Sequence, residues 1–113
     1  MGYRSEIYIK IDIEQKDKLD TLLKEVELNE YFNSVCDNDW CYYYGSHLKW
    51  YDGYSDVDKV NDFIEDFDDG IAGLLAIGED NAIINYGDTS GVNLYAVTDI
   101  DTDYFIYPEH QNN

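Results

Sequence analysis

The chain has 113 residues, with 7 Lys and Arg against 25 Asp and Glu, and a formal net charge of −18. Its apolar content of 44% and aromatic content of 16% are those of one domain folded around a core, which excludes an acidic disordered tail. A pI near 4.1 disfavours direct contact with nucleic acid or an anionic membrane face and favours a basic partner.

Residues Tyr3 to Ile11 alternate, with Ile7, Ile9 and Ile11 on one side and Glu6, Tyr8 and Lys10 on the other, the pattern of a half-buried strand. Asp12 can cap the next segment, with Gln15 three residues on. Leu19, Leu22, Leu23 and Val26 then mark one face of a helix ending near Leu28 to Phe32. Its outer face mixes Lys16, Lys18 and Lys24 with Asp17, Asp20, Glu25 and Glu27, an ordinary solvated surface. Asn33 to Asp39 is a polar connection. Trp40 to Tyr44 and Leu48 to Tyr51 form two strands of a hairpin around Gly45 and Ser46, with tyrosines on both faces of the first.

The clearest helix follows, capped by Ser55 in a box with Asp58 and stopped by Gly70, its apolar stripe made of Val57, Val60, Phe63, Ile64 and Phe67. Its other face carries Asp56, Asp58, Asp62, Glu65, Asp66, Asp68 and Asp69 against the single cation Lys59. Acid in the last turn opposes the macrodipole, so helix stability does not account for Asp66, Asp68 and Asp69. Ile71 to Ile77 is a nearly continuous apolar run between glycines, the pattern of a strand buried on both faces. After a turn at Glu79 to Asn81, Ala82 to Tyr86 and Val92 to Thr98 make a further hairpin across Gly87 to Gly91. Residues 99–113 finish as an edge segment, with 108–113 a loose tail.

The expected architecture is therefore an α+β two-layer sandwich over residues 1–113, in the ferredoxin-like order βαββαβ extended by a C-terminal hairpin. Both helices cover one sheet face, with Leu22, Val26, Val60, Ile64 and Phe67 between the layers. No apolar run approaches a bilayer span, and Met1 to Glu6 has no apolar signal core, which makes the cytoplasm the expected location.

Met1-Gly2-Tyr3-Arg4-Ser5, the stretch Lys49-Trp50-Tyr51-Asp52 running into Tyr54 and Val57, and the later Ile77-Gly78-Glu79-Asp80 resemble a group of small phage and prophage proteins of unassigned function. The resemblance touches the start, middle and later third of the chain. It implies a phage context and a host cell, and it names no catalytic residue. The aromatic strand from Trp40 to Tyr44 and the long acidic end depart from that group.

Catalytic and metal chemistry find little footing. Asp99, Asp101 and Asp103 begin like a calcium loop, but Tyr104 stands where a glycine is needed and His110 where a bidentate glutamate is expected. Cys36 and Cys41, with His47 six residues on, are too few for a structural zinc site and are expected as small core or loop residues in a reducing compartment. Glu79 and Asp80 are adjacent residues of a turn, and the serines lack a nucleophile elbow. The reading is of a protein that is not an enzyme and has no cofactor and no metal.

Charge is the stronger signal. Duplex DNA carries one charge per roughly 1.7 Å of axis, so a net −18 equals about 30 Å of duplex, close to the width of a domain this size. The expected function is an acidic binding protein that blocks a basic host protein by imitating nucleic acid, of anti-restriction or anti-CRISPR type. Its contacts are Asp58, Asp62, Glu65, Asp66, Asp69, Asp99, Asp101 and Asp103, with Tyr42, Tyr44 and Tyr54 as aromatic anchors. The alternatives are an immunity-type or assembly protein binding one basic partner, a weak divalent-metal-dependent protein, and acidity that serves solubility alone.

Overall fold

The structure is a computed structural model that describes residues 4–51, 53–80 and 82–94. In chain order the elements are β1 (Ser5–Asp12), α1 (Lys16–Glu25), β2 (Phe32–Cys36), β3 (Trp40–Leu48), α2 (Ser55–Glu65), β4 (Ala72–Gly78) and β5 (Ile83–Gly87). The strands make one sheet in the order β2-β3-β1-β4-β5, and every neighbouring pair is antiparallel.

Register explains the core. Ile7, Ile9 and Ile11 of β1 stand opposite Gly45, Tyr43 and Cys41 of β3 and opposite Ala76, Leu74 and Ala72 of β4. Side chains alternate along a strand, so all nine positions share one sheet face. Leu19 and Leu23 of α1 and Val57, Val60 and Ile64 of α2 close over that face. Of the residues expected between the layers, Val60 and Ile64 are fully buried, while Leu22, Val26 and Phe67 pack at its margin.

The other face is better covered than alternation alone predicts. Tyr8 is buried with Leu75 beneath Val92 and Leu94, and Trp40, Tyr42 and Tyr44 pack around them. Val92 to Leu94 lie in a turn where a strand from Val92 to Thr98 was expected; the rest of that strand, the Asp99 to Asp103 cluster, His110 and the 108–113 tail lie outside the described residues.

Three further expectations are corrected. The hairpin expected around Gly45 and Ser46 does not exist, because β3 runs on to Leu48. Its register slips between Ser5 and Ile7 of β1, so Ser46 and His47 together face Glu6 as a bulge, with His47 at φ 56°. Gly45 serves space rather than a turn, since a Cβ there would lie 2.7 Å from Leu48 Cδ1 and 3.0 Å from Phe32 Cε1. The polar connection from Asn33 to Asp39 is mostly the edge strand β2, joined to β3 by a turn in which Asp37 Oδ1 accepts the N–H groups of Asp39 and Trp40, each at 2.8 Å. Cys36 and Cys41 stand directly opposite each other across that hairpin and form a disulfide, whereas His47 lies at the far end of β3.

The helix ends also differ. Asp12 does cap, accepting the Glu14 N–H at 2.9 Å, but into a short 3-10 turn that precedes α1. α1 closes in a Schellman motif: the Glu27 N–H donates to Lys24 O and the Leu28 N–H to Leu23 O, with Glu27 left-handed at φ 62°. The N-cap of α2 is Tyr54, which makes no side-chain capping bond, so Ser55 is not the cap. Asp58 instead reaches back, its Oδ1 accepting the Gly53 N–H at 3.1 Å. The helix stops at Glu65 with Asp66 as C-cap, so Asp68 and Asp69 lie beyond it and do not burden its last turn.

Candidate protein-binding surface

The acidic row is built by the apolar stripe beneath it. Val57, Val60 and Ile64 must face the sheet, which turns Asp62 and Glu65 outward and leaves Asp58 half-exposed. Asp66 and Asp69 continue the exposed acid beyond the helix. Glu65, Phe67, Asp69 and Asp88 line a shallow cleft of about 280 Å³ beside Gly87. Asp88 is held by the backbone, accepting the Gly70 N–H at 2.7 Å and the Gly91 N–H at 3.1 Å. Among the described residues the one ion pair is Lys16 with Asp20 on α1, so no described cation is ion-paired to the row, although Lys59 stands on the same helix.

The aromatic residues expected to anchor a partner do not share this surface. Tyr42 and Tyr44 lie on the opposite face of the sheet from α2, and their phenols are engaged: Tyr44 donates to Glu6 and Tyr42 to Asp37. Tyr54 alone stands by the row, at the start of α2, where it is 47% exposed and packs edge-on against Tyr51. The eleven residues expected to make one site thus divide: five carboxylates run along α2 and its exit with Tyr54 at the start of that helix, two tyrosines face away, and Asp99, Asp101 and Asp103 lie outside the described residues.

The far face has its own electrostatics. Lys10 lies over the rings of Trp40 and Tyr42, 4.9 and 5.6 Å from their centroids. Burial lowers its pKa against the opposing pull of Asp37. Burial by itself would raise the pKa of Glu6, but hydrogen bonds from Tyr44, His47 N–H and Ser46 together outweigh it and hold the carboxyl below its usual range. Asp37 is lowered in the same way: burial is outweighed by the bonds from Asp39, Trp40 and Tyr42 and by the charge of Lys10. Burial pushes Tyr8 up to about 12; on the helix-covered face it also raises Tyr43, whose hydroxyl donates to Asp20 at 2.6 Å.

Glu79 and Asp80 have structural tasks. Glu79 Oε1 accepts the Arg4 N–H at 2.6 Å and Asp80 Oδ1 accepts the Ala82 N–H at 3.0 Å. Among the described residues no three His, Cys, Asp or Glu side chains are grouped to hold a metal ion, and no helix is long and apolar enough to cross a membrane. Comparison with known protein families, with curated proteins and with solved structures gives no match.

Proposed function

We propose that the chain is a non-enzymatic, phage-encoded binding protein, acting in the host cytoplasm, whose acidic face occupies the nucleic-acid site of a basic host protein. The observation that carries this reading is the row Asp58, Asp62, Glu65, Asp66 and Asp69, outward on α2 and its exit with no described cation paired to it. Asp58, Asp62 and Glu65 are helix neighbours four and three apart, with Cβ atoms roughly 5–6 Å apart, a spacing comparable to successive phosphates. A Lys or Arg groove shaped for a nucleic-acid backbone would meet a similar series of charges. The cleft between Glu65 and Asp69 offers one long basic side chain a place to insert.

The strand order supports the ferredoxin-like reading: β2-β3-β1-β4 places β3 between β1 and β2, as a split βαβ unit does, and β5 is the added edge. In a reducing host cytoplasm the Cys36–Cys41 bond would be open, so inhibition should be indifferent to added thiol.

The test is capture of a basic host protein on the immobilised chain, followed by competition with duplex DNA at two salt concentrations. Mimicry requires that DNA displaces the captured protein and that replacing Asp62 and Asp66 with Asn weakens capture and flattens its salt dependence. Capture that persists in excess DNA would instead point to an immunity-type or assembly role.

A further inference from the structure

A second cleft, of about 440 Å³, opens where the exit of α1, the bulge of β3 and the start of α2 meet. Its size is within the roughly 300–1,000 Å³ range of small-molecule sites. Arg4, His47 and Lys49 line it, bringing together two of the chain's seven Lys and Arg with one of its two histidines. The Arg4 guanidinium donates from Nη1 to His47 O at 3.2 Å, yet neither that guanidinium nor the Lys49 ammonium has an ion pair with a described carboxylate. Among the described residues only Lys16 of the seven Lys and Arg is ion-paired, but Arg4 and Lys49 are the two that share a cleft, and that shared position points to an anion from outside.

The remaining lining gives the anion its body. Tyr31 and Tyr54 are 59% and 47% exposed at this cleft, and Trp50 forms its wall. Glu27 and Asp56 also line it, so the cleft carries both signs of charge. A bare polyanion suits such a place poorly. A ligand with one phosphate, a flat ring and ring N–H donors suits it well.

We propose that this cleft binds a nucleoside monophosphate, with the phosphate on Arg4 and Lys49, the base against Tyr31 or Tyr54, and a carboxylate accepting from the base. The net charge of −18 opposes each further phosphate, so affinity should fall from mono- to triphosphate and oligonucleotides should be rejected. This site lies at the entry of α2 and shares Tyr54 with the acidic row further along that helix, but its assignment does not rest on that row.

The experiment uses a Trp40→Phe background, which leaves Trp50 as the single tryptophan reporter. Guanosine monophosphate, guanosine triphosphate, guanosine and inorganic phosphate are titrated separately. The expected result is saturable quenching by the monophosphate, with guanosine, inorganic phosphate and the triphosphate each bound at least tenfold more weakly. Lys49→Ala should weaken monophosphate binding about tenfold, and Lys18→Ala, on the outer face of α1, should leave it unchanged. Arg4→Ala should weaken it further, and circular dichroism checks that the bulge region still folds; Lys49→Ala decides the matter if it does not. No quenching at millimolar monophosphate, equal binding of inorganic phosphate, or an affinity indifferent to Lys49→Ala would each overturn the proposal.

Discussion

At the scale of single residues, the backbone of Glu27 invites a direct test. A non-glycine residue in the left-handed region costs roughly 1–2 kcal/mol, offset in a glycine by its greater freedom when unfolded, so Glu27→Gly should stabilise the protein by roughly 0.5–1 kcal/mol in denaturant titration. If Glu27 also accepts from a bound base, the same variant should bind the monophosphate less well. Ionisation supplies a second prediction. The pKa values of Glu6 and Asp37 are depressed below 4.5 and 3.8, so the stability they provide is complete above those values and is lost as pH falls through the lower folded-state values. Tyr8, Tyr43 and Tyr44 are raised above 10.0, so their contribution is complete below pH 10 and is lost as pH rises through their folded-state values. Denaturant midpoints measured across pH should therefore fall at both ends, and Asp37→Asn should flatten the acid limb. Glu27 and His47 could not be recognised from sequence, because neither residue type announces a left-handed backbone.

At the scale of elements, the helices and β1 were legible because their burial is one-sided and long enough to impress a period on the sequence. Ile64 belongs to that legible set and has no solvent exposure; Ile64→Ala should cost roughly 2–5 kcal/mol, and a loss well under 1 kcal/mol would contradict the packing described. The edge strand β2 was hidden for the opposite reason. It spans five residues with Asn33 and Ser34 exposed, and what holds it is pairing to β3 and the disulfide rather than a buried face. Opening Cys36–Cys41 with reductant removes a short loop closure, worth about 2 kcal/mol by the chain-entropy estimate. The thermal midpoint should drop accordingly, and a Cys36→Ser, Cys41→Ser variant should match the reduced protein.

At the scale of the whole molecule, two surfaces emerge where the sequence pointed to one. The acidic row was legible because its residues are close in sequence, on α2 and the turn that follows it. The cleft was not, because Arg4, Glu27, His47 and Tyr54 belong to four separated segments that only the sheet order brings together. If both proposals hold, net charge acts on the two surfaces with opposite effect, drawing a basic protein toward the row and tempering the pull of the cleft on anions. Binding of a basic partner should therefore weaken as salt rises. Binding of a guanosine triphosphate should strengthen relative to the monophosphate over the same range, as screening relieves repulsion; isothermal titration at two ionic strengths measures both.

The place of β1 in the middle of the sheet has a consequence in time. It precedes the other described strands, and both of its neighbours, β3 and β4, come later in the chain. The hairpins β2–β3 and β4–β5 can close locally, but neither has a core until β1 slides between them, so docking of β1 is the step with the greatest loop-closure cost. Truncating Ile9 should then slow refolding far more than truncating Val35 in β2, and a nascent chain released before Ala72 should remain without the β1–β4 ladder.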